Sequence, residues 1–207
     1  MTAQTNDRIR YLDKDYVLAG INGAGLFEPQ QIGLEVVSMS TACWRGFVCE
    51  YALHDEALIL ARLTVGLTAA DLELAEQGLG PVHFDKVPTG NEFSYQDPKT
   101  GETKTFWHDW SYDDLCHPIL YAGGLLIAAD FIQDLYVHMG FHPAYKYREV
   151  HELIFDQGRL QSATDRSAQM AEFREMLADV PLSPQDPDNR QEIHNWVEQA
   201  FRRNYKL

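Results

Sequence analysis

The chain has 207 residues, 45% of them apolar, and carries 31 acidic against 17 basic side chains for a formal charge of −14. That length suits one globular domain, with or without a small helical appendage, burying roughly 70% of the surface its unfolded form exposes. The charge opposes general nucleic-acid binding and attachment to anionic membranes, and favours a basic protein partner.

Three cysteines, Cys43, Cys49 and Cys116, are odd in number and lie in apolar or mixed runs. They predict buried, reduced thiols and a cytoplasmic location. The start, MTAQTNDRIR, has no apolar core, and the longest apolar run, 118–129, is broken by Gly123 and Gly124. Neither predicts a signal peptide or a membrane span.

In chain order, a polar leader precedes a strand over 10–19 and a glycine-rich loop over 20–25. The glycine spacing matches neither a P-loop nor a dinucleotide fingerprint. Residues 36–65 form the stretch around which the rest is organised. Phe47, Cys49, Tyr51 and Leu53 alternate onto one face, and Ala57, Ile59, Ala61, Leu63 and Val65 continue it after a turn at 54–56, which predicts a core hairpin. Arg45 shares that parity and is expected as a strand-end cap or a buried ion pair with a carboxylate; anion recognition is the alternative.

Thr68 and Asp71 predict a capped helix ending at Gly78. Residues 93–95 and 103–107 flank a turn containing Pro98 and Gly101, predicting a more polar hairpin. A strand follows over 119–128. Phe131, Leu135 and Met139 predict a helix over 130–139 stopped by Gly140, although Leu135, Val137 and Met139 also satisfy a strand. Residues 150–155 and 159–163 predict a third hairpin. Two helices follow, over 167–178 and from about 188, joined by a connector with Pro181, Pro184 and Pro187. The expected fold is α+β: a bent or sandwich-like, mainly antiparallel sheet over 8–180, with 181–207 packing its helix on the same domain.

For chemistry, Asp130, Asp134 and His138 fall on one stripe if 130–139 is helical, with His142 and His151 beyond it. Gly140 ends that helix before His142, and no HExxH pattern is present, so neither a metal nor a cofactor is expected. Cys116 adjoins His117, but Asp113 and Asp114 disfavour a thiolate there. Ser38, Ser40 and Thr41 lack a nucleophile-elbow context. No catalytic residue is assigned.

The segment 106–114 interleaves aromatic and acidic residues. Trp107, Asp109, Trp110, Tyr112, Asp113 and Asp114 form a candidate surface for a basic partner; burial of Trp107 and Trp110 as core anchors is the competing reading. The sequence therefore points to an acidic, cytoplasmic protein-binding module, such as an inhibitor or immunity protein that neutralises a basic toxin or nuclease. The alternative is a small-molecule enzyme with a pocket in the sheet, using His138, His142 or His151.

Overall fold

The structure is a computed structural model that describes residues 2–178, 181 and 189–206, apart from the side chains of residues 93, 95 and 104–107. Its frame begins with three tight hairpins. Strand β1 (Arg8–Tyr11) turns into β2 (Lys14–Ala24), β3 (Phe47–His54) into β4 (Ala57–Val65), and β9 (Tyr147–Asp156) into β10 (Arg159–Asp165). Each turn has two residues at positive φ: Leu12 and Asp13, Asp55 and Glu56, Gln157 and Gly158. Such turns match the right-handed twist of the paired strands. The glycine-rich segment read as a loop is instead the far half of β2, which pairs with β8 (Ala122–Phe131) as far as Ala24.

Helix α1 (Ala69–Glu76) starts at Thr68, whose hydroxyl accepts from the Asp71 backbone N–H. The polar hairpin is β5 (Thr89–Gln96) with β6 (Thr103–Tyr112), and β7 is the short pair His117–Pro118. Hydrogen bonding runs in the order β10-β9-β8-β2-β1-β3-β4-β6-β5. All neighbours are antiparallel except β1 with β3. The path returns on itself: Arg159 sits opposite Ala57, the Leu58 N–H donates to the Gly158 carbonyl at 2.7 Å, and the Leu160 N–H to that of Glu56 at 2.8 Å. Seven strands thus curl into a ring, and the β5–β6 ribbon extends from β4.

The ring is filled by side chains. Ile9, Leu18, Cys49, Leu60, Leu125, Ile127 and Leu153 face inward and are buried. In β4 the inward residues are Leu58, Leu60, Leu63 and Val65, so the single parity from Ala57 to Val65 does not hold. The pairing slips between Glu50 and Tyr51, adding a residue to β4 and reversing which parity faces the core. Outside, Ala19, Leu126, Ala128 and Val150 form a second apolar patch with Met170 of α2 (Ser167–Met176).

Helix α3 (Arg190–Phe201) is partly buried, and the chain beyond it crosses the barrel wall. Phe201 stacks on Trp44 at 5.4 Å, and the Ile21 N–H donates to the Arg203 carbonyl at 2.8 Å. Tyr205 donates to Glu152 at 2.8 Å. The proline connector lies outside the described residues, except for Pro181.

Two further expectations fail. Residues 130–139 form no α-helix: β8 runs through Phe131, and only Gln133–Leu135 makes a 3-10 turn. Phe131 packs against Tyr147 and His142 instead of a helical partner, so tertiary contacts override the local spacing. Cys116 is exposed, whereas Cys43 and Cys49 are buried; all three are free thiols. Among the described residues, no helix is long and apolar enough to cross a membrane.

Candidate functional site

The inward parity of β9 runs Phe155, Leu153, His151, Glu149, and its last two members are polar. Opposite them β1 and β2 bring Tyr11 and Tyr16, also on core parity, with Lys14 at the hairpin end. Glu149 is the hub of this mouth of the ring. It accepts from the Tyr16 hydroxyl at 2.5 Å, pairs with Lys14, and lies 3.3 Å from His151 Nε2. Asp130 stands 3.6 Å from the same lysine.

The hydrogen bonds from Lys14 and Tyr16 pull the Glu149 carboxyl down to about 2, so it is ionised at neutral pH. Burial, reinforced by Glu149, pushes the Tyr16 phenol up and keeps it protonated. His151 stands edge-on to the Tyr16 ring at 5.6 Å and lies 6.0 Å from the Tyr11 ring. With Nε2–H directed at Glu149, Nδ1 is the acceptor nitrogen; no described residue hydrogen-bonds it, and Asp165 lies opposite His151 on the neighbouring strand. The side chain is 21% exposed. Tyr11 lines a cavity of about 420 Å³ together with Arg10, Leu53, Glu56 and Leu160.

At the other mouth, Asp7 is buried and held by two arginines. Arg45 donates both terminal nitrogens to it at 2.7 and 2.8 Å, Arg203 one at 2.8 Å, and the Cys49 N–H adds a fourth bond at 2.8 Å. Burial opposes ionisation of Asp7, but the two guanidinium groups outweigh it and hold the carboxyl below its ordinary range. Arg45 is thus the structural ion pair expected from its parity. A cavity of about 360 Å³ opens beside it, reaching Tyr51 and Tyr121.

The remaining candidates are scattered. His142 is buried between Phe131 and Tyr136, and burial lowers it to about 4. His138 is exposed against Tyr136. Without a helix the stripe of Asp130, Asp134 and His138 does not form, and no three His, Cys, Asp or Glu side chains are grouped for a metal among the described residues. His117 packs edge-on against Phe27 and Phe84, within the aromatic core.

The aromatic-acidic segment divides. Trp110 is 7% exposed beneath Gly90, and Tyr112 is fully buried with its hydroxyl donating to the Pro81 carbonyl at 2.9 Å. Both are core residues; for Trp110 this is the competing reading, while Tyr112 is expected from the sequence only on the partner-binding surface. Asp113 forms an ion pair with Arg62 at 2.7 Å, while Asp109 and Asp114 are exposed. The Trp107 side chain lies outside the described residues.

Sequence reasoning included His151 but missed Tyr11, Lys14, Tyr16 and Glu149. The available signal was polar residues on a strand parity otherwise occupied by Leu153 and Phe155. Comparison with protein-family models, curated proteins and solved structures finds no match for the chain.

Proposed function

We propose that the chain is a small-molecule enzyme whose acid–base centre lies at the mouth formed by Tyr11, Tyr16, Glu149 and His151. The observation that carries this reading is a histidine on the inner face of the barrel, held through Nε2 by an ionised carboxylate, with no hydrogen bond to Nδ1 among the described residues. Glu149 fixes the tautomer and orients the ring so that Nδ1 faces the proton it takes. Tyr16 and Lys14 hold Glu149. The Tyr11 hydroxyl, which has no protein partner among the described residues, hydrogen-bonds the substrate oxygen. A base beside a neutral donor suits proton abstraction from carbon next to a carbonyl, the oxygen taking up charge as the proton leaves.

The experiment is to incubate the protein in deuterated water with a panel of small carbonyl compounds and follow deuterium uptake by mass spectrometry. Exchange on at least one compound is expected, falling about 100-fold or more in His151→Gln, the low end of what a positioned base contributes. No exchange across the panel, or exchange undiminished in that variant, overturns the assignment. The free cysteines support a reducing, cytoplasmic setting for this activity. Capture of a basic protein is the weaker reading, because two of its aromatic anchors are buried and its support reduces to surface charge.

A further inference from the structure

A third cavity lies under α3; its Phe141 wall also packs against Arg203 of the Asp7 mouth at 4.8 Å. It measures about 330 Å³, at the small end of the range for ligand pockets. Val137, Met139, Phe141 and Trp196 supply apolar wall, and Lys146 and Arg202 line it as well. Among the described residues no carboxylate lines it, in a chain whose formal charge is −14.

Lys146 is 5% exposed, and no described residue makes an ion pair or side-chain hydrogen bond with it. Its ionisable neighbour, His142, is also buried, with neither ring nitrogen partnered. Lysine is almost never buried without a counter-charge, because its desolvation then goes uncompensated. Burial accordingly lowers the amine to about 8, which leaves it mostly cationic at pH 7. Arg202 is largely exposed at the rim, where it forms an ion pair with Glu198 at 3.3 Å.

We propose that this cavity binds a small organic carboxylate with an apolar body, the carboxylate on the Lys146 ammonium and the carbon body against Val137, Met139, Phe141 and Trp196. The bound anion supplies a counter-charge that no described residue provides. The apolar wall favours an alkyl or aryl carboxylate over a small hydrophilic anion such as inorganic phosphate.

The test uses the whole chain and two probes of equal length, octanoate and octanamide, titrated calorimetrically at pH 7. Octanoate is expected to bind saturably at one site and at least about tenfold more tightly than octanamide, one charge-assisted hydrogen bond being worth that much. Lys146→Met should abolish the preference. Lys146→Gln serves in its place if the methionine variant does not fold. Absence of saturable octanoate binding, equal affinity for the two probes in the native protein, or a preference surviving in the folded variant would each overturn the proposal.

Discussion

An ammonium ion buried without a carboxylate costs the native state free energy, and at Lys146 the sign of its pH dependence follows directly. The amine falls to about 8 from the ordinary value near 10.5. Between those values the unfolded chain binds more protons than the native one, so this group's contribution to stability rises as pH rises through the window. At pH 7 the full cost is present. Lys146→Met should therefore raise the urea midpoint at pH 7 and gain less at pH 10; a variant less stable at pH 7 would show that the Lys146 ammonium is paired in the native state. The thiols give a second residue-scale prediction: Cys116 should react quickly with a thiol reagent in the native protein, Cys43 and Cys49 only on unfolding. Two or three labels taken up at one rapid rate would contradict the burial. Neither Lys146 nor Cys116 was legible beforehand, because burial of a single side chain is set by segments distant in sequence. Arg45 was legible in part, since its parity with an apolar strand made an ion pair with a carboxylate one of its expected readings beside a strand-end cap and anion recognition.

At the scale of elements, the hairpins around Asp55, Gln157 and the 97–101 turn were readable because turn chemistry and alternation agree over short stretches. Residues 130–139 misled for the opposite reason: Phe131, Leu135 and Met139 have helical spacing, but Phe131 is committed to the end of β8. The turn at Leu12 and Asp13 offered no glycine or asparagine and was missed, merging two strands into one. The docking of α3 was anticipated from its apolar stripe, yet none of its residues is fully buried. Its anchor is the Phe201 ring stacked on Trp44, with the Phe141 N–H donating to the Ala200 carbonyl at 2.7 Å. Phe201→Ala should cost about 2 kcal/mol, below the range for a fully buried phenylalanine. A double-mutant cycle with Trp44→Ala should return about 1 kcal/mol of coupling from the stacked pair. Additive single effects would mean that the rings contribute only by separate burial.

For the whole molecule, the bent antiparallel sheet was legible and its closure was not. The parallel pairing of β1 with β3 and the contact of β10 with β4 join segments about a hundred residues apart, or separated by β2 and the 25–46 segment, and no local signal encodes them. The strand order β9-β8-β2-β1 brings Tyr11 and Tyr16 to Glu149 and His151, with Tyr16 and Glu149 133 residues apart in sequence. Closure also compacts a formal charge of −14, whose self-repulsion opposes the folded state. Much of that charge is exposed, including Asp55, Glu56, Asp109 and Asp114, and salt screens exposed charges effectively. Raising ionic strength from about 0.01 to 0.15 M shortens the screening length from about 30 to 8 Å. At pH 8 that step should raise Tm by screening repulsion that the expanded unfolded chain feels less. Near the sequence pI of about 4.8 no net charge remains to repel, and the same step should leave Tm unchanged or lower it by weakening attractive pairs. Further acidification acts through specific groups: Asp7 and Glu149 have depressed native pKa values, so their stabilisation is present above the ordinary carboxyl range and is lost as pH falls toward about 2. Thermal scans at the two salt levels over pH 3 to 8 check this. A salt response at pH 8 no larger than that at the pI would show that the acidic surface is already neutralised by its own pairs.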